Sequence, residues 1–286
     1  MNTIYNTPQG KQKIIALYDG QLSRLNAPYQ DIYIDTSFGK THLIETGNHG
    51  GPPLLVFHGG NATTAYNLLA CRFLLDKFHI YAVDTIGHPG KSAETTLSPN
   101  NYDYGKWGGE VISGLGFQKM RCFGGSFGAG ILAKTMCVAP EKIEKAVLHV
   151  PSGIKNAPAI NLISMAFPMM LYWVTHKQKW LIKTILPMAV SQDNIDSDAF
   201  ETAKCSIDNA KIKAGMPSNV VPRDMRKCLA PTLVLAGEKD CMFPAKRVIP
   251  QAEKIITNCT AYLLQGRGHM HRLTETEEQM ILQFLM

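Results

Sequence analysis

Short apolar runs that end near turn residues alternate with longer helical patterns along most of this 286-residue chain. Six such runs have the length of strands: Pro53–Phe57, Ile80–Val83, Met120–Phe123, Ala146–Val150, Thr232–Ala236 and Ala261–Leu264. Helical patterns fall between them, for example at Thr63–Asp76, Tyr102–Leu115 and Phe127–Ala139. Strands without polar alternation are typical of a sheet that is buried on both faces. The order therefore predicts an α/β protein with a mostly parallel central sheet flanked by helices.

Two stretches depart from this alternation. Gln30–Asp35 and Thr41–Glu45 lean polar and are joined through a turn at Gly39, which predicts an antiparallel hairpin at one edge of the sheet. Between residues 152 and 222 no convincing strand is seen, and the composition shifts to Met, Phe, Trp and Tyr. We expect residues 1–151 and 223–286 to form the core and residues 152–222 to be an inserted helical cap. Its apolar side chains either form the cap's own core or roof an apolar pocket.

The segment Gly124-Gly125-Ser126-Phe127-Gly128 lies directly after a predicted strand and directly before a predicted helix. It contains Gly-x-Ser-x-Gly, the pattern of a nucleophile elbow. The glycines suit a tight, strained turn in which flanking side chains would collide with backbone. The helix N-terminus behind Ser126 favours negative charge. The alternative is a glycine-rich turn that merely carries a serine.

The segment His58-Gly59-Gly60-Asn61 follows the first long apolar strand. Acyl transfer needs N–H donors that point at the developing oxyanion. We expect one donor at Phe127, the residue after the nucleophile, and the other at Gly60. His58 is interpreted as a residue that braces this loop, and a plain glycine turn is the alternative.

An acid and a base follow the last two predicted strands. Asp240 comes after Thr232–Ala236, and His269 comes after Ala261–Leu264. The chain order Ser, Asp, His is that of the α/β-hydrolase fold, and the carboxyl ends of parallel strands can bring such groups into one crevice. His269 would act as general base, and Asp240 would orient it. Glu238 is a rival acid and His271 a rival base.

Two glycine-rich segments imitate nucleotide-binding motifs. The segment from Asp84 to Ser92 ends in Gly-Lys-Ser, but Thr85 stands where a phosphate loop needs its first glycine. The small residues from Gly128 to Ala133 imitate a dinucleotide fingerprint, but they lie inside the helix after the elbow. Neither segment predicts a cofactor, and none is expected.

Bulk properties narrow the function further. The net charge is +6, and the basic residues are dispersed rather than clustered, so we expect no nucleic-acid partner. The first 17 residues have no apolar signal-peptide core, and no apolar window is long enough for a membrane span. Seven scattered cysteines without a Cys-x-x-Cys pair argue against a disulfide framework or a metal site. We expect a cytoplasmic protein that binds no metal.

These motifs together resemble the α/β-hydrolase superfamily over nearly the whole chain. The segments Phe38–Ile44, Tyr81–Gly87, Lys91-Ser92 and Tyr102–Trp107 are more narrowly similar to the bacterial carboxylesterase NP type. The resemblance implies hydrolysis of carboxylic esters without a cofactor, under a helical cap. It also implies the same roles as above, with the nucleophile, acid and base at Ser126, Asp240 and His269, and the oxyanion donors at Gly60 and Phe127.

The sequence thus predicts a serine hydrolase that cleaves small-molecule esters through an acyl-enzyme intermediate, as a monomer or a homodimer. Two alternatives stay open. The elbow begins Gly-Gly-Ser, as in prolyl aminopeptidases, although Asn61-Ala62 stand where those enzymes carry Pro-Gly. Such a peptidase or amidase would need an anionic group in the cap, and Asp196, Asp198 and Glu201 are available. A non-catalytic ligand-binding protein on the same fold is the other alternative.

Overall fold

The computed structural model describes residues 3–211 and 215–286, so the part of the predicted cap at 212–214 lies outside the described residues. The described residues form one eight-stranded sheet. Its strands are β1 (Tyr29–Thr36), β2 (Gly39–Gly47), β3 (Pro53–Phe57), β4 (His79–Val83), β5 (Met120–Gly125), β6 (Ile143–His149), β7 (Thr232–Gly237) and β8 (Cys259–Leu264). All six predicted apolar runs are strands, and Pro53–Phe57 has the predicted bounds.

The sheet order is β1-β2-β4-β3-β5-β6-β7-β8. β1 pairs antiparallel with β2, and β2 pairs antiparallel with β4, which confirms the predicted edge hairpin. The remaining pairs, from β4 through β8, are parallel. Because parallel strands point the same way, the loops after β3, β5, β7 and β8 emerge at one edge of the sheet.

Ten α-helices are found among the described residues: α1 (Pro8–Ser23), α2 (Thr64–Ala70), α3 (Asp103–Gly114), α4 (Phe127–Val138), α5 (Ile163–Thr175), α6 (Gln178–Ala189), α7 (Ser197–Asn209), α8 (Pro222–Met225), α9 (Ala245–Ile255) and α10 (Glu275–Leu285). Short 3-10 turns lie at Arg72–Leu74, Pro140–Lys142, Ala159–Leu162 and Gln192–Asn194. The predicted helix at Thr63–Asp76 is therefore interrupted, since it consists of α2 followed by a 3-10 turn.

Helices cover both faces of the sheet. In β3, Leu55 and Phe57 belong to a core cluster with α3, α4 and α9, whereas Leu54 and Val56 belong to a second cluster with α1, α2 and α10. This alternation explains why the strand is apolar at every position, because each side of the pleat meets a helix layer. The predicted mostly parallel sheet flanked by helices is confirmed.

The first helix was not predicted. Thr7 caps α1 by accepting a hydrogen bond from the N–H of Gly10, and Pro8 occupies its first turn. The helix is held by tertiary contacts, since Gln21 donates to Thr202 of α7 and the Tyr18 hydroxyl donates to Asp84 after β4. Among the described residues, no helix is both long and apolar enough to cross a membrane.

The segment between β6 and β7 contains α5, α6, α7 and α8 and, where it is described, no strand of the sheet. Tyr172, Leu181, Ile185 and Phe200 form a small separate core among α5, α6 and α7. This cluster confirms that part of the apolar composition serves the segment's own packing. Other apolar side chains of α5 have a different environment, which is described below.

Candidate active site

Ser126 lies in the sharp turn between β5 and α4. Its backbone has φ +52° and ψ −112°, a conformation that residues other than glycine rarely adopt. The neighbouring strand β6 stabilises the turn, because the N–H of Ser126 donates to the carbonyl of His149 at 2.9 Å. Ser152 donates to the Ser126 carbonyl from both its N–H and its hydroxyl, at 3.2 and 3.1 Å. The surrounding structure thus overcomes the local strain.

The glycines of the turn differ in importance. A Cβ on Gly124 would lie 2.7 Å from the carbonyl oxygen of Gly128, and a Cβ on Gly128 would lie 2.5 Å from the carbonyl oxygen of Phe57. Both contacts are with backbone atoms, which cannot move aside cheaply. A Cβ on Gly125 would meet nothing within 4 Å. The crowding expected from the motif therefore applies to Gly124 and Gly128 but not to Gly125.

The structure brings the three predicted polar residues into one hydrogen-bonded line. Ser126 Oγ lies 2.8 Å from His269 Nε2, and His269 Nδ1 lies 2.8 Å from Asp240 Oδ2. A carboxylate only accepts hydrogen bonds, so Nδ1–H of His269 donates to Asp240. In the neutral ring, Nε2 is then an acceptor that faces the Ser126 hydroxyl. This is the arrangement in which a serine can lose its proton to an imidazole.

Asp240 is only 2% exposed, and its second oxygen is also occupied. Asp240 Oδ1 accepts from the N–H groups of Met242 at 2.7 Å and Phe243 at 2.9 Å. Burial raises the pKa of Asp240, but the adjacent His269 and these hydrogen bonds together hold it below its usual value. The carboxylate is therefore ionised near neutral pH. The Phe243 ring packs edge-on against the His269 imidazole, with 5.3 Å between centroids.

The rival residues have other partners. Glu238 accepts from the N–H of Gly266 at the surface. The Nδ1–H of His271 donates to the Gly268 carbonyl, which leaves its Nε2 to accept from His149 Nε2–H at 3.0 Å. Burial, and to a lesser extent Asp240, raises the pKa of the Cys241 thiol to about 11, so this thiol is not ionised near neutral pH.

The two predicted oxyanion donors lie on neighbouring segments. A Cβ built on Gly60 would be 3.5 Å from Phe127 Cβ, so the loop after β3 lies against the start of α4. Phe127 is the first residue of α4, and the helix provides no acceptor for its N–H. Next to Gly60, Asn61 has φ +54°, a left-handed conformation that Asn tolerates better than most residues.

His58 braces this loop. The N–H of Thr85 donates to His58 Nε2 at 3.0 Å, and His58 Nδ1–H donates to the Gly59 carbonyl at 2.8 Å. Burial lowers the pKa of His58, so the ring is neutral and keeps this tautomer. His88 packs beside it against the Phe127 ring, with 4.6 Å between centroids.

Comparisons with known proteins identify the fold. A family model described as the α/β hydrolase fold matches residues 52–178. The crystal structure of naproxen esterase (carboxylesterase NP) from Bacillus subtilis superposes with a TM-score of 0.84, covering 98% of this chain and 100% of that chain at 21% identity. The protein has the α/β-hydrolase fold.

Two relatives extend the similarity from the fold to the sequence. Carboxylesterase YbfK of Bacillus subtilis is 24% identical over 278 residues, which cover 94% of this chain and 92% of the relative. A protein named uncharacterized carboxylesterase nap, from the same organism, is 25% identical over 264 residues, covering 88% and 85%. The predicted resemblance to α/β-hydrolases of the carboxylesterase NP type is confirmed.

Ser126 and His269 line a cavity of about 320 Å³. Gly60 and Asn61 form one side of it, and Leu162 and Ala166, from the segment leading into α5 and from α5 itself, form another. Five methionines also line it: Met165, Met169, Met188, Met216 and Met242. Methionine is unbranched and polarisable, so it adapts to apolar groups of different shape. The sequence indicated an apolar roof, but not this concentration of thioethers.

The acidic residues considered for a peptidase lie elsewhere. Asp196 caps α7 and pairs with Arg272, and Asp198 pairs with Arg24. Glu201 borders a separate groove beside α1. Among the described residues, the cavity at Ser126 has no acidic side chain in its lining. These described residues therefore offer no counter-charge to a substrate ammonium group.

The loop that carries His269 is attached to the helical segment between β6 and β7. The N–H of Met270 donates to the carbonyl of Met188, near the end of α6, at 3.0 Å. A Cβ on Gly268 would lie 2.3 Å from the same carbonyl oxygen. Gly268 therefore permits the contact that holds the imidazole loop against α6, and sequence motifs gave no sign of this role.

A group that could hold a metal ion lies away from this site. Ligand atoms of Glu45, His49 and His79 lie within 4.8 Å of one another, at the amino-terminal end of β4. The carboxyl end of β4 faces the active site, so this group is at the opposite edge of the sheet. His79 Nε2 already shares a hydrogen bond of 2.6 Å with Glu45, which explains the proximity of these two side chains.

Proposed function

We propose that the protein is a serine hydrolase that cleaves carboxylic esters, with Ser126 as nucleophile, His269 as general base and Asp240 as the orienting acid. The observation that supports it is the unbroken line Ser126 Oγ–His269–Asp240, with 2.8 Å at each step, which opens into an apolar cavity. The fold and carboxylesterase relatives that match over most of the chain support the same reaction class.

The reaction follows from the geometry. Ser126 Oγ attacks the ester carbonyl while His269 Nε2 takes its proton, and Asp240 stabilises the imidazolium that forms. The imidazolium then gives the proton to the departing alcohol oxygen, which leaves an acyl group on Ser126. Water, activated by the same imidazole, attacks the acyl carbon and releases the acid. No cofactor is needed for any of these steps.

The negative charge on the carbonyl oxygen needs donors that are already in position. We assign these donors to the N–H groups of Phe127 and Gly60. The contact of the Gly60 segment with Phe127 supports this assignment, as does the brace that His58 provides behind it. The positive end of the α4 dipole acts in the same direction.

The cavity favours an ester with an apolar acyl or alcohol group of small to medium size. Its methionine lining offers dispersion contacts, and the described residues of the lining carry no negative charge that would bind an amine. The aminopeptidase alternative is thus disfavoured, because Asp196, Asp198 and Glu201 have other environments.

We also propose the division into a core of residues 1–151 and 223–286 and a cap of residues 152–222. The helical character of the described part of that segment supports it. The free state of all seven cysteines supports the proposal of a cytoplasmic location, since it suits a reducing compartment. Among these proposals, the catalytic roles have the most direct test.

The decisive experiment measures turnover of p-nitrophenyl esters of increasing acyl length by the wild type and by Ser126→Ala. We expect a burst of p-nitrophenol from the wild type and no burst from the variant. Ser23→Ala changes an exposed serine on α1 and is the matched control. Labelling of Ser126 by a fluorophosphonate probe separates a catalytic serine from a non-catalytic binding protein. No turnover on any chain length, with no labelling, would contradict the proposal.

A comparison of substrates separates ester from amide cleavage. We expect naphthyl esters to be hydrolysed and prolyl-naphthylamide to be untouched, because the cavity lining offers no anion for the prolyl ammonium. A higher kcat/KM for prolyl-naphthylamide would instead establish the aminopeptidase alternative.

A further inference from the structure

Helix α5 exposes a continuous apolar face to solvent. Six large apolar side chains, one in the 3-10 turn before α5 and five along the helix, are between 50% and 76% exposed: Ile160, Ile163, Phe167, Met170, Trp173 and Val174. In the rest of the described chain, only Leu229 and Met286 among the large apolar residues are exposed to that degree. Concentrated apolar exposure of this kind marks a surface that binds something.

The spacing makes this face a single stripe. Ile163, Phe167, Met170 and Val174 are separated by four, three and four residues. At 3.6 residues per turn, these four positions lie within about 60° of one another around the helix. Met165 and Met169 lie on the opposite side and line the cavity at Ser126. The same helix therefore presents one apolar side to the active site and another to the exterior.

The segment that carries the stripe has charges of one sign. Residues 151–192 contain four lysines and no Asp, Glu or Arg. Lys177, Lys179 and Lys183 are exposed, just after α5 and on α6. The ammonium groups of Lys179 and Lys183 lie 5.1 and 4.8 Å from the Trp180 ring centroid. An apolar stripe with an exposed tryptophan and flanking lysines is the composition of helices that lie in an anionic lipid interface.

We propose that the outer face of α5 docks on an anionic lipid surface and brings the cavity to esters held there. The proposal rests on the proposed function, because it names the substrate class of the same site: esters whose apolar chains partition into lipid. The lysines would contact the anionic head groups while Phe167, Met170 and Trp173 enter the boundary of the acyl region. A second copy of this chain has the same positive charge on this face, so like charges would oppose its docking there.

Docking would affect catalysis through the local concentration of the ester. A long-chain ester has a low concentration in water and a high concentration in a lipid surface. Since Met165 and Met169 line the cavity from the other side of α5, a docked helix holds the cavity one helix diameter, roughly 10 Å, from the surface that holds the ester. Binding would thus raise the local substrate concentration without changing the chemistry at Ser126.

The first test uses vesicle binding by the intact protein. We expect the wild type to sediment with phosphatidylglycerol vesicles more than with phosphatidylcholine vesicles, and less at 0.5 M NaCl, because salt screens the lysine contribution. Of the three tryptophans, Trp107 is buried and Trp173 is 62% exposed. The third tryptophan, Trp180, is half-buried, so most of the fluorescence blue shift on binding should be lost in Trp173→Phe.

The second test changes the stripe without touching the cavity. Phe167→Ser combined with Met170→Ser should reduce partitioning into anionic vesicles about tenfold or more. The double variant lacks two of the three apolar side chains that are proposed to enter the acyl region. Turnover of a water-soluble short-chain ester should stay unchanged, while turnover of a vesicle-held long-chain ester falls with binding. Leu229→Ser removes an equally exposed leucine outside the stripe and should change neither activity.

The outcomes separate this inference from the proposed function. If the wild type cleaves short esters but does not bind anionic vesicles, the surface proposal is overturned. The same holds if the wild type is a dimer that Phe167→Ser with Met170→Ser dissociates, because a second copy then covers the stripe. If vesicles are bound but no ester is cleaved in either form, the proposed function fails while the surface remains. Ser126→Ala should bind vesicles normally and cleave no ester, which separates vesicle binding from catalysis in one variant.

Discussion

Asp240→Asn is the substitution that tests the catalytic line most directly. Asn has nearly the same shape as Asp, and its side-chain oxygen can still accept from the N–H groups of Met242 and Phe243. The atom that faces His269 then becomes an amide nitrogen, which donates instead of accepting. To avoid two donors facing each other, the imidazole must move its proton from Nδ1 to Nε2. In that tautomer, His269 cannot accept the proton of Ser126.

The size of the effect follows from this inversion. The other parts of the site, including the oxyanion donors and the cavity, remain in place, so the loss is confined to proton transfer. We expect kcat to fall about 10³- to 10⁴-fold, which corresponds to about 4–5.5 kcal/mol of transition-state stabilisation. KM for the ester should change little, because Asp240 is 2% exposed and does not line the cavity.

The assay is steady-state turnover of the best p-nitrophenyl ester, with the burst amplitude measured in the first turnover. Glu238→Gln is the matched control, because this neighbouring acid only accepts from the Gly266 N–H at the surface. We expect it to retain activity within about twofold, as for a surface substitution. If Asp240→Asn keeps a tenth or more of wild-type kcat while Glu238→Gln loses it, the assignment of the acid is wrong.

Three further predictions concern the supports of the site. Gly268→Ala should reduce kcat/KM at least about tenfold, because the added Cβ would lie 2.3 Å from the Met188 carbonyl oxygen and displace the His269 loop; unchanged kinetics would contradict this. Gly124→Ala should unfold the elbow or strongly lower the urea midpoint, since its Cβ would lie 2.7 Å from backbone, whereas Gly125→Ala, with open space, should keep the wild-type midpoint. His88 is buried and its pKa is lowered to about 3, first by burial and then by His58. Between pH 6.5 and 3 the unfolded chain therefore binds a proton at His88 that the folded chain does not, so stability falls as the pH drops. From pH 7 to 5 this amounts to about 2 kcal/mol. His88→Phe should remove that share of the fall in urea unfolding, and an equal fall in both proteins would refute it.

The elements predicted from the sequence were those whose signal is local. The strand Pro53–Phe57 has its predicted bounds because both of its faces are buried, which leaves an uninterrupted apolar run. Helix α1 was missed although Thr7 followed by Pro8 is a helix-start signal. Its amphipathic pattern is weak, and its stability comes from distant partners such as Asp84 and Thr202. Contacts of that kind cannot be paired from one sequence.

The candidate site likewise combines residues with a local sequence signal and contacts that depend on distant segments. Ser126, Asp240 and His269 were found because each follows a recognisable strand, and parallel strands place such positions at one edge. The donors from Met242 and Phe243 that hold Asp240 were not found, because backbone N–H groups have no sequence signature. The support that His149 and Ser152 give to the elbow depends on the pairing of β5 with β6.

The sequence by itself determined the class of fold, the order of the three candidate catalytic residues and the chemistry proposed for them, because apolar periodicity and turn residues are local properties of a chain. Only the tertiary structure decided which of the candidate acids and bases face each other. It also showed that Gly268 permits the contact between α6 and the loop of His269, and that α5 has one apolar side on the cavity and another on the exterior. These features depend on distances between segments far apart in the chain. Such distances are set by the packing of the whole molecule.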